Sequence, residues 1–224
     1  MAAKRILIVG GGSSGWMSAA YLDAVLNAEG HEPVEIGLLE SPDVPRIGVG
    51  EATIPSINHI LAAIGIDEIE FLKRTDGTYK QAIKYVNWLD GRGEGYYHAF
   101  GRYRPTPVDT STLDWLTSDR SMPFSETISA QPVICESCLA PKTLDNADIG
   151  ARFTYAFHMN ALKFADYLCE IATGRGVRWM YGSVHFCLKL SQRLPRPTLS
   201  HSSWVPLLSR SRCDARASAR STSA

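Results

Sequence analysis

An α/β fold built on a parallel βαβ unit is the architecture this sequence predicts, and three adjacent features near its start predict it. A short run of strand-forming residues, Arg5-Ile6-Leu7-Ile8-Val9, leads directly into Gly10-Gly11-Gly12-Ser13-Ser14-Gly15, and a helix-like segment follows. The glycines read G-x-G-x-x-G, and in that order the three features form the fingerprint of a dinucleotide-binding turn. Gly10 makes the tight turn, Gly12 lets the backbone approach a pyrophosphate, and Gly15 lets the helix pack closely on the strand. Free N–H groups at the helix start, with the helix dipole behind them, then hold the phosphate charge. A glycine turn with a purely structural task is the competing reading, and the local context favours cofactor binding.

The remaining elements follow from periodicity and punctuation. After the strand Arg5–Val9, a helix is expected from about Ser14 to Asn27, with Met17, Leu22, Val25 and Leu26 near helical spacing and Gly30 as its C-cap. Val34–Glu40 reads as the second strand. An acid at that strand's end is where a ribose hydroxyl is held, so Glu40 is the natural ligand. Its spacing from Gly15 is slightly long, as a lengthened connection would make it, and a solvated strand-end carboxylate is the alternative. In Ile47-Gly48-Val49-Gly50-Glu51-Ala52-Thr53-Ile54-Pro55 two further glycines imply a second close backbone approach to a ligand. A helix to about Ala63 should follow, with Thr53 as N-cap and Pro55 in its first turn.

Asp67-Glu68-Ile69-Glu70 has the form of a capping box opening another short helix. Ile83, Tyr85, Val86 and Trp88 suggest a strand. From Asp90 to Asn146 the chain is rich in Gly, Pro, Ser and Thr yet keeps its aromatics, which suits long loops over a substrate region. Ala161, Phe164, Ala165, Leu168 and Ile171 mark a helix over Asn160–Ala172, ended by Gly174 or Gly176. Val184, Phe186, Leu188 and Leu190 alternate with polar residues, a strand periodicity. Ser191–Ala224 has no sustained apolar period and is expected to be disordered.

Composition narrows the function classes. With 45% hydrophobic and 21% charged residues the 224-residue chain can build a sizeable core. It shows no stretch apolar enough for a membrane span and no signal-peptide pattern, and its five cysteines form no regular framework, so a cytoplasmic setting is expected. The 23 basic and 23 acidic residues are unevenly placed, with six arginines and one acid in 191–224. That leaves 17 basic against 22 acidic residues in 1–190, an acidic body that does not suggest nucleic acid as a partner. Cys135-Glu136-Ser137-Cys138 is a C-x-x-C without a second pair or a His pair at zinc spacing. It reads as loop or core thiols, with zinc or redox chemistry the lesser alternative, no metal site is expected, and His158 reads as a packing or capping residue.

Several segments together resemble the flavin-dependent tryptophan halogenases. VGGGSSGWM is similar to that family's nucleotide turn, PRIGVGEATIP to its flavin-contacting loop, and GTYKQAIKYVNW to the stretch carrying its essential lysine, here Lys80. YYHAFG resembles a segment whose His and Phe help clamp the aromatic substrate, here His98 and Phe100. FHMNALKFADYL resembles a later helix that precedes a strand, as Gly176-Val177 would here. The resemblance runs from about Ile6 to about Leu190. It implies a Rossmann-like FAD-binding domain of the flavin monooxygenase type, over 1–190 and incomplete at its C-terminus. Gly10, Gly11, Gly12, Ser14 and Gly15 would hold the pyrophosphate, Glu40 and Ser41 the ribose, and Val44, Ile47, Val49 and Ala52 would line the flavin.

The implied activity is two-component halogenation of tryptophan or another indole-type aromatic. A separate flavin reductase supplies reduced FAD in trans, and O₂ with chloride or bromide yields hypohalous acid, which Lys80 directs onto an indole carbon. An ammonium at Lys80 can polarise that acid through hydrogen bonds, whereas a neutral amine can take up the halogen, and burial favours the second route. A solvated strand lysine is the plain alternative, since Lys84 is equally bare in sequence. His98 and Phe100 lie two apart, so an extended segment turns both the same way toward a flat substrate. The family's W-x-W-x-I-P signature and its later glutamate are not in the sequence. An out-of-frame origin for Ser191–Ala224 and weak or absent turnover by 1–224 are therefore expected. A hydroxylating flavin monooxygenase and a non-catalytic FAD-binding module with a basic tail are the alternatives.

Overall fold

The computed structural model describes residues 5–88, 90–93, 95–102, 109–143, 149 and 153–182. In chain order the elements are β1 (Arg5–Val9), α1 (Ser13–Leu26), β2 (Glu35–Glu40), β3 (Gly50–Ala52), α2 (Ile57–Ile64), α3 (Glu68–Thr75), β4 (Thr78–Lys80) and β5 (Ala82–Val86). They continue with β6 (Gly95–Ala99), α4 (Ser111–Thr117), α5 (Phe124–Ile128), α6 (Gln131–Glu136), β7 (Ala156–Asn160), α7 (Ala161–Gly174) and β8 (Arg178–Tyr181). The described residues gather into two compact units, one from 5–49 with 160–182, the other from 50–159.

The first unit is the expected βαβ module. Its sheet has the order β1-β2-β8, all parallel, with Ile8 beside Leu38 and Leu38 beside Trp179. Parallel neighbours need crossover helices, and α1 and α7 are those helices, packed against each other. The apolar side chains Met17, Leu22, Val25 and Leu26 are not the face that α1 buries. Trp16, Ala19, Ala20 and Asp23 are buried instead, at helical spacing. Small alanines let two backbones approach closely, so the tightest contact carries the least bulk, and Val25 is left 42% exposed. The helix stops at Asn27 rather than at Gly30. The Asn27 amide donates to the Asp23 carboxylate at 2.8 Å, and its oxygen accepts from the Val34 N–H at 2.7 Å, tying the helix end to the start of β2.

The second unit holds a three-stranded sheet, β3-β7-β4, and the antiparallel hairpin β5–β6. Its core is aromatic, with Phe71 and Phe157 ring centroids 4.9 Å apart and Tyr79 edge-on to Tyr155 at 5.3 Å. Asp67 caps α3 as expected, accepting from the Glu70 N–H at 2.7 Å. Thr53 does not cap a helix. Its hydroxyl donates to the Phe157 carbonyl at 3.0 Å and accepts from the Phe157 N–H at 3.0 Å, and α2 begins after Ser56 without a side-chain cap. The region expected as long loops contains β6 and the short helices α4, α5 and α6. Asn160 caps α7, accepting from Leu162 and Lys163, and the helix runs to Gly174. The strand expected over 184–190 and the expected disorder of Ser191–Ala224 lie outside the described residues.

Candidate functional site

The glycine turn brings the start of α1 onto the end of β1. Gly10 holds φ +114°, a left-handed conformation that a side chain would strain. A Cβ at Gly15 would overlap the Gly10 carbonyl oxygen, so this glycine is what brings α1 onto the end of β1. Gly12, by contrast, has open space around the position a Cβ would take. It stands at the N-cap of α1 with no side-chain cap, and the first turn holds no acid. The N–H groups that a helix start leaves over thus have no acid of the helix's own first turn against them.

Glu40 ends β2 beside this turn, close enough that a Cβ on Gly11 would overlap its carboxyl group. Arg46 holds the carboxylate bidentately, Nε to Oε1 at 2.8 Å and Nη2 to Oε2 at 3.0 Å, and Trp179 Nε1 donates to Oε2 at 3.1 Å. Arg46 also pairs with Asp166 of α7 at 2.8 Å, so the loop after β2 is pinned to that helix. Along the loop Val44, Ile47 and Val49 stay 68%, 85% and 55% exposed, an apolar row without protein cover among the described residues. Gly48 makes a different close approach from the one its sequence context suggests. A Cβ there would overlap the Leu162 side chain, so this glycine serves packing within the protein. Ser41 is half-buried, its Oγ accepting from the Asp43 N–H at 3.3 Å. These residues fit a dinucleotide, with donors for phosphate, a fixed carboxylate for a ribose hydroxyl, and an apolar wall for a flat ring.

In the second unit Lys80 ends β4, opposite Ala156 of β7. Its side chain is buried at 8% exposure, donates to the Thr53 carbonyl at 3.0 Å, and lies 5.2 Å from the Phe100 ring centroid. Among the described residues no carboxylate pairs with it. Burial lowers its pKa from the ordinary lysine value. Lys84 is the opposite case. It is exposed, and its bond to the Glu136 carboxylate raises its pKa. The two lysines that look alike in sequence are therefore separated by environment. Lys80 lines a cleft of about 720 Å³ together with Ala52, Tyr97, Cys135, Cys138 and His158. His158 is an exposed residue of β7, and partial desolvation of its ring together with the charge of Lys80 lowers its pKa.

The two expected clamp residues part company. Phe100 follows β6, its N–H bonded to the Gln81 carbonyl at 3.0 Å, and it meets Lys80. His98 is exposed on β6 opposite Ile83, and neither it nor Phe100 is among the residues lining the cleft. Sequence reading missed Thr53 as the Lys80 acceptor, because that contact joins residues 27 positions apart. It also missed Glu68, fully buried, which accepts from the Tyr79 hydroxyl at 2.7 Å, from Tyr155 at 2.5 Å, and from Lys142 at 3.0 Å. That network anchors Tyr79, the residue before Lys80 on β4, and an acid next to a capping Asp gave no sign of it.

Fold and turn together define an α/β protein with a Rossmann-type glycine turn and a buried lysine in a second unit. Comparison with known proteins makes this narrower. The family model described as Tryptophan halogenase matches residues 5–192, and the chain belongs to that family. Tryptophan 7-halogenase RebH of Lentzea aerocolonigenes is 35% identical over 192 residues, which is 78% of this chain and 35% of that protein. Tryptophan 7-halogenase KtzQ of a Kutzneria species is 33% identical over 75% of this chain and 34% of its own length. Among solved structures, a tryptophan halogenase from Shewanella frigidimarina superposes with a TM-score of 0.72 at 34% identity, covering 82% of this chain and 38% of that one. The chain spans about a third of the length of these relatives. No helix among the described residues is long and apolar enough to cross a membrane.

Proposed function

We propose that this chain carries the FAD-binding turn and the halogen-handling lysine of a flavin-dependent halogenase acting on tryptophan or another indole. The observation that carries this reading is Lys80, a buried amine with a carbonyl and an aromatic face beside it and no carboxylate partner among the described residues. Family membership and the fit of the glycine turn to a dinucleotide support it. Bound in reduced form and with O₂, FAD supplies the oxidation of chloride or bromide to hypohalous acid. A separate flavin reductase provides the reduced cofactor. The chain's own residues do the rest. The start of α1 holds the pyrophosphate between Gly10 and Gly15, Glu40 and Ser41 orient the ribose, and Val44, Ile47 and Val49 shield the flavin from water.

At Lys80 the lowered pKa favours the neutral amine, whose lone pair attacks the halogen of hypohalous acid while hydroxide leaves and takes a proton from the same nitrogen to become water. The indole carbon then takes the halogen from nitrogen, and its proton departs to restore the aromatic ring. The Thr53 carbonyl fixes one N–H of the amine and so the direction of the lone pair. Phe100 excludes water from the same nitrogen. The test is a prolonged reaction with reduced FAD, O₂, bromide and tryptophan at high protein concentration, read by mass spectrometry sensitive enough for the weak turnover expected of a chain about a third of its relatives' length. Bromotryptophan that depends on bromide and is lost in Lys80→Met supports the reading. A hydroxylated product formed without halide, or full turnover by Lys80→Met, overturns it.

A further inference from the structure

The cleft lined by Lys80 is also lined by both cysteines of the Cys135-x-x-Cys138 pair, which the chemistry above does not use. Side chains on either side of the pair fix it there. Gln81, the neighbour of Lys80 in the chain, donates from its amide to the Leu139 carbonyl at 2.7 Å, one residue beyond Cys138. Between the two cysteines, the Glu136 carboxylate is ion-paired with Lys84 and accepts from the Tyr97 hydroxyl at 2.6 Å. The Cys138 N–H donates to the Cys135 carbonyl at 3.0 Å, closing a four-residue turn with Cys138 at φ +53°. A turn of that kind brings its end α-carbons within about 7 Å, the upper limit of the span a disulfide bridges. Cys135 is half-buried and Cys138 exposed, so both sulfurs are within reach of a small solute in the cleft. Among the described residues no group of three or more His, Cys, Asp or Glu side chains is placed to hold a metal ion. Burial and the charge of Glu136 push the Cys135 thiol up, so ordinary thiol exchange is slow here and a strong electrophile is the fitting reagent.

We propose that Cys135 and Cys138 form a dithiol that reduces hypohalous acid present in the Lys80 cleft and closes to a disulfide as it does so. The proposal rests on the halogenating reading of Lys80, which supplies that oxidant. One sulfur attacks the halogen, and the displaced hydroxide takes the thiol proton to leave as water, giving a sulfenyl halide. The second sulfur attacks the first, halide leaves, and its proton is released. The halogen falls from +1 to −1, and the two sulfurs give up the two electrons. The pair thus draws off oxidised halogen when no aromatic acceptor occupies the cleft, and shares that cleft with the Lys80 amine that would otherwise hold it.

The test uses the whole chain, reduced and without flavin, given less than one equivalent of hypochlorous acid, then denatured, alkylated and digested without reduction. The expected result is a Cys135–Cys138 disulfide as the main thiol product, with two thiols lost per oxidant and Cys169, 1% exposed, still alkylated. Sulfonic acid at Cys138 beside a free Cys135, or oxidation spread over other thiols and methionines without that disulfide, overturns the proposal. Cys138→Ser, a change at an exposed position, should keep its melting temperature and lose the two-thiol stoichiometry. A second arm replaces added oxidant with reduced FAD, O₂ and bromide and omits any aromatic substrate. Disulfide in both arms supports both readings. Disulfide with added oxidant and intact thiols in the second arm upholds the dithiol chemistry and overturns the halogenating reading instead.

Discussion

Among the described residues the Lys80 amine donates to the Thr53 carbonyl, and burial lowers its pKa. A folded-state pKa below the unfolded one means that the native chain binds fewer protons between the two values, so this group's contribution to stability rises with pH through that window. Below the folded pKa the buried charge is a net cost. Lys80→Met, similar in volume, should therefore melt higher at neutral pH, by roughly 2–4 °C for each 1 kcal/mol of burial cost removed, while losing halogenation. In a pH series the halogenation rate should rise and level off below the ordinary lysine pKa of about 10.4, since the neutral amine is the reacting form. A rate that falls over that range would assign the ammonium instead. The glycines make an equally sharp pair. Gly15→Ala should cost at least about 2 kcal/mol in denaturant melts, because its Cβ meets the Gly10 carbonyl. Gly12→Ala meets nothing within 4 Å and should leave apo stability alone while weakening FAD binding about tenfold, or 1.4 kcal/mol. These turn residues were legible because their task is local. Thr53 and Glu68 were not, since their partners lie up to 104 positions away along the chain.

Elements were read best where ends and period agree. β1 matches its expected bounds, β2 begins one residue later than expected, and α3 has the cap its sequence announces. β7 was missed because it runs straight into α7 at Asn160 with no turn residue between them, so the two read as one apolar stretch. Strand β3 was missed because its three residues are exposed and its glycine lacks strand propensity. The face of α1 was misread because hydrophobic size was taken as the guide where close packing selects alanine. The junction of β7 and α7 offers a direct check. Asn160 satisfies two N–H groups at 3.0 and 3.1 Å, so Asn160→Ala should lower stability by about 1 kcal/mol, whereas Asn160→Asp should keep most of it. Equal stability of the Ala variant would show that water serves this helix start as well as the side chain does.

At the scale of the molecule, the strand next to β2 comes from beyond residue 177, so the first unit is closed by chain that returns after the whole second unit has been formed. No local pattern announces such a return, which is why the sequence reads as one continuous domain. The match over 5–192 crosses both units, so the nucleotide turn and the lysine belong to one family pattern even though the chain spans about a third of its relatives. The central claim is that this chain makes a working flavin site, and titration of the purified protein with FAD, followed by flavin fluorescence and thermal melting, tests it most directly. Saturable binding is expected, with about 2.7 kcal/mol of added stability at a hundredfold excess over Kd and a weaker response in Gly12→Ala. A chain that melts cooperatively yet shows neither saturation nor a raised melting temperature would contradict it.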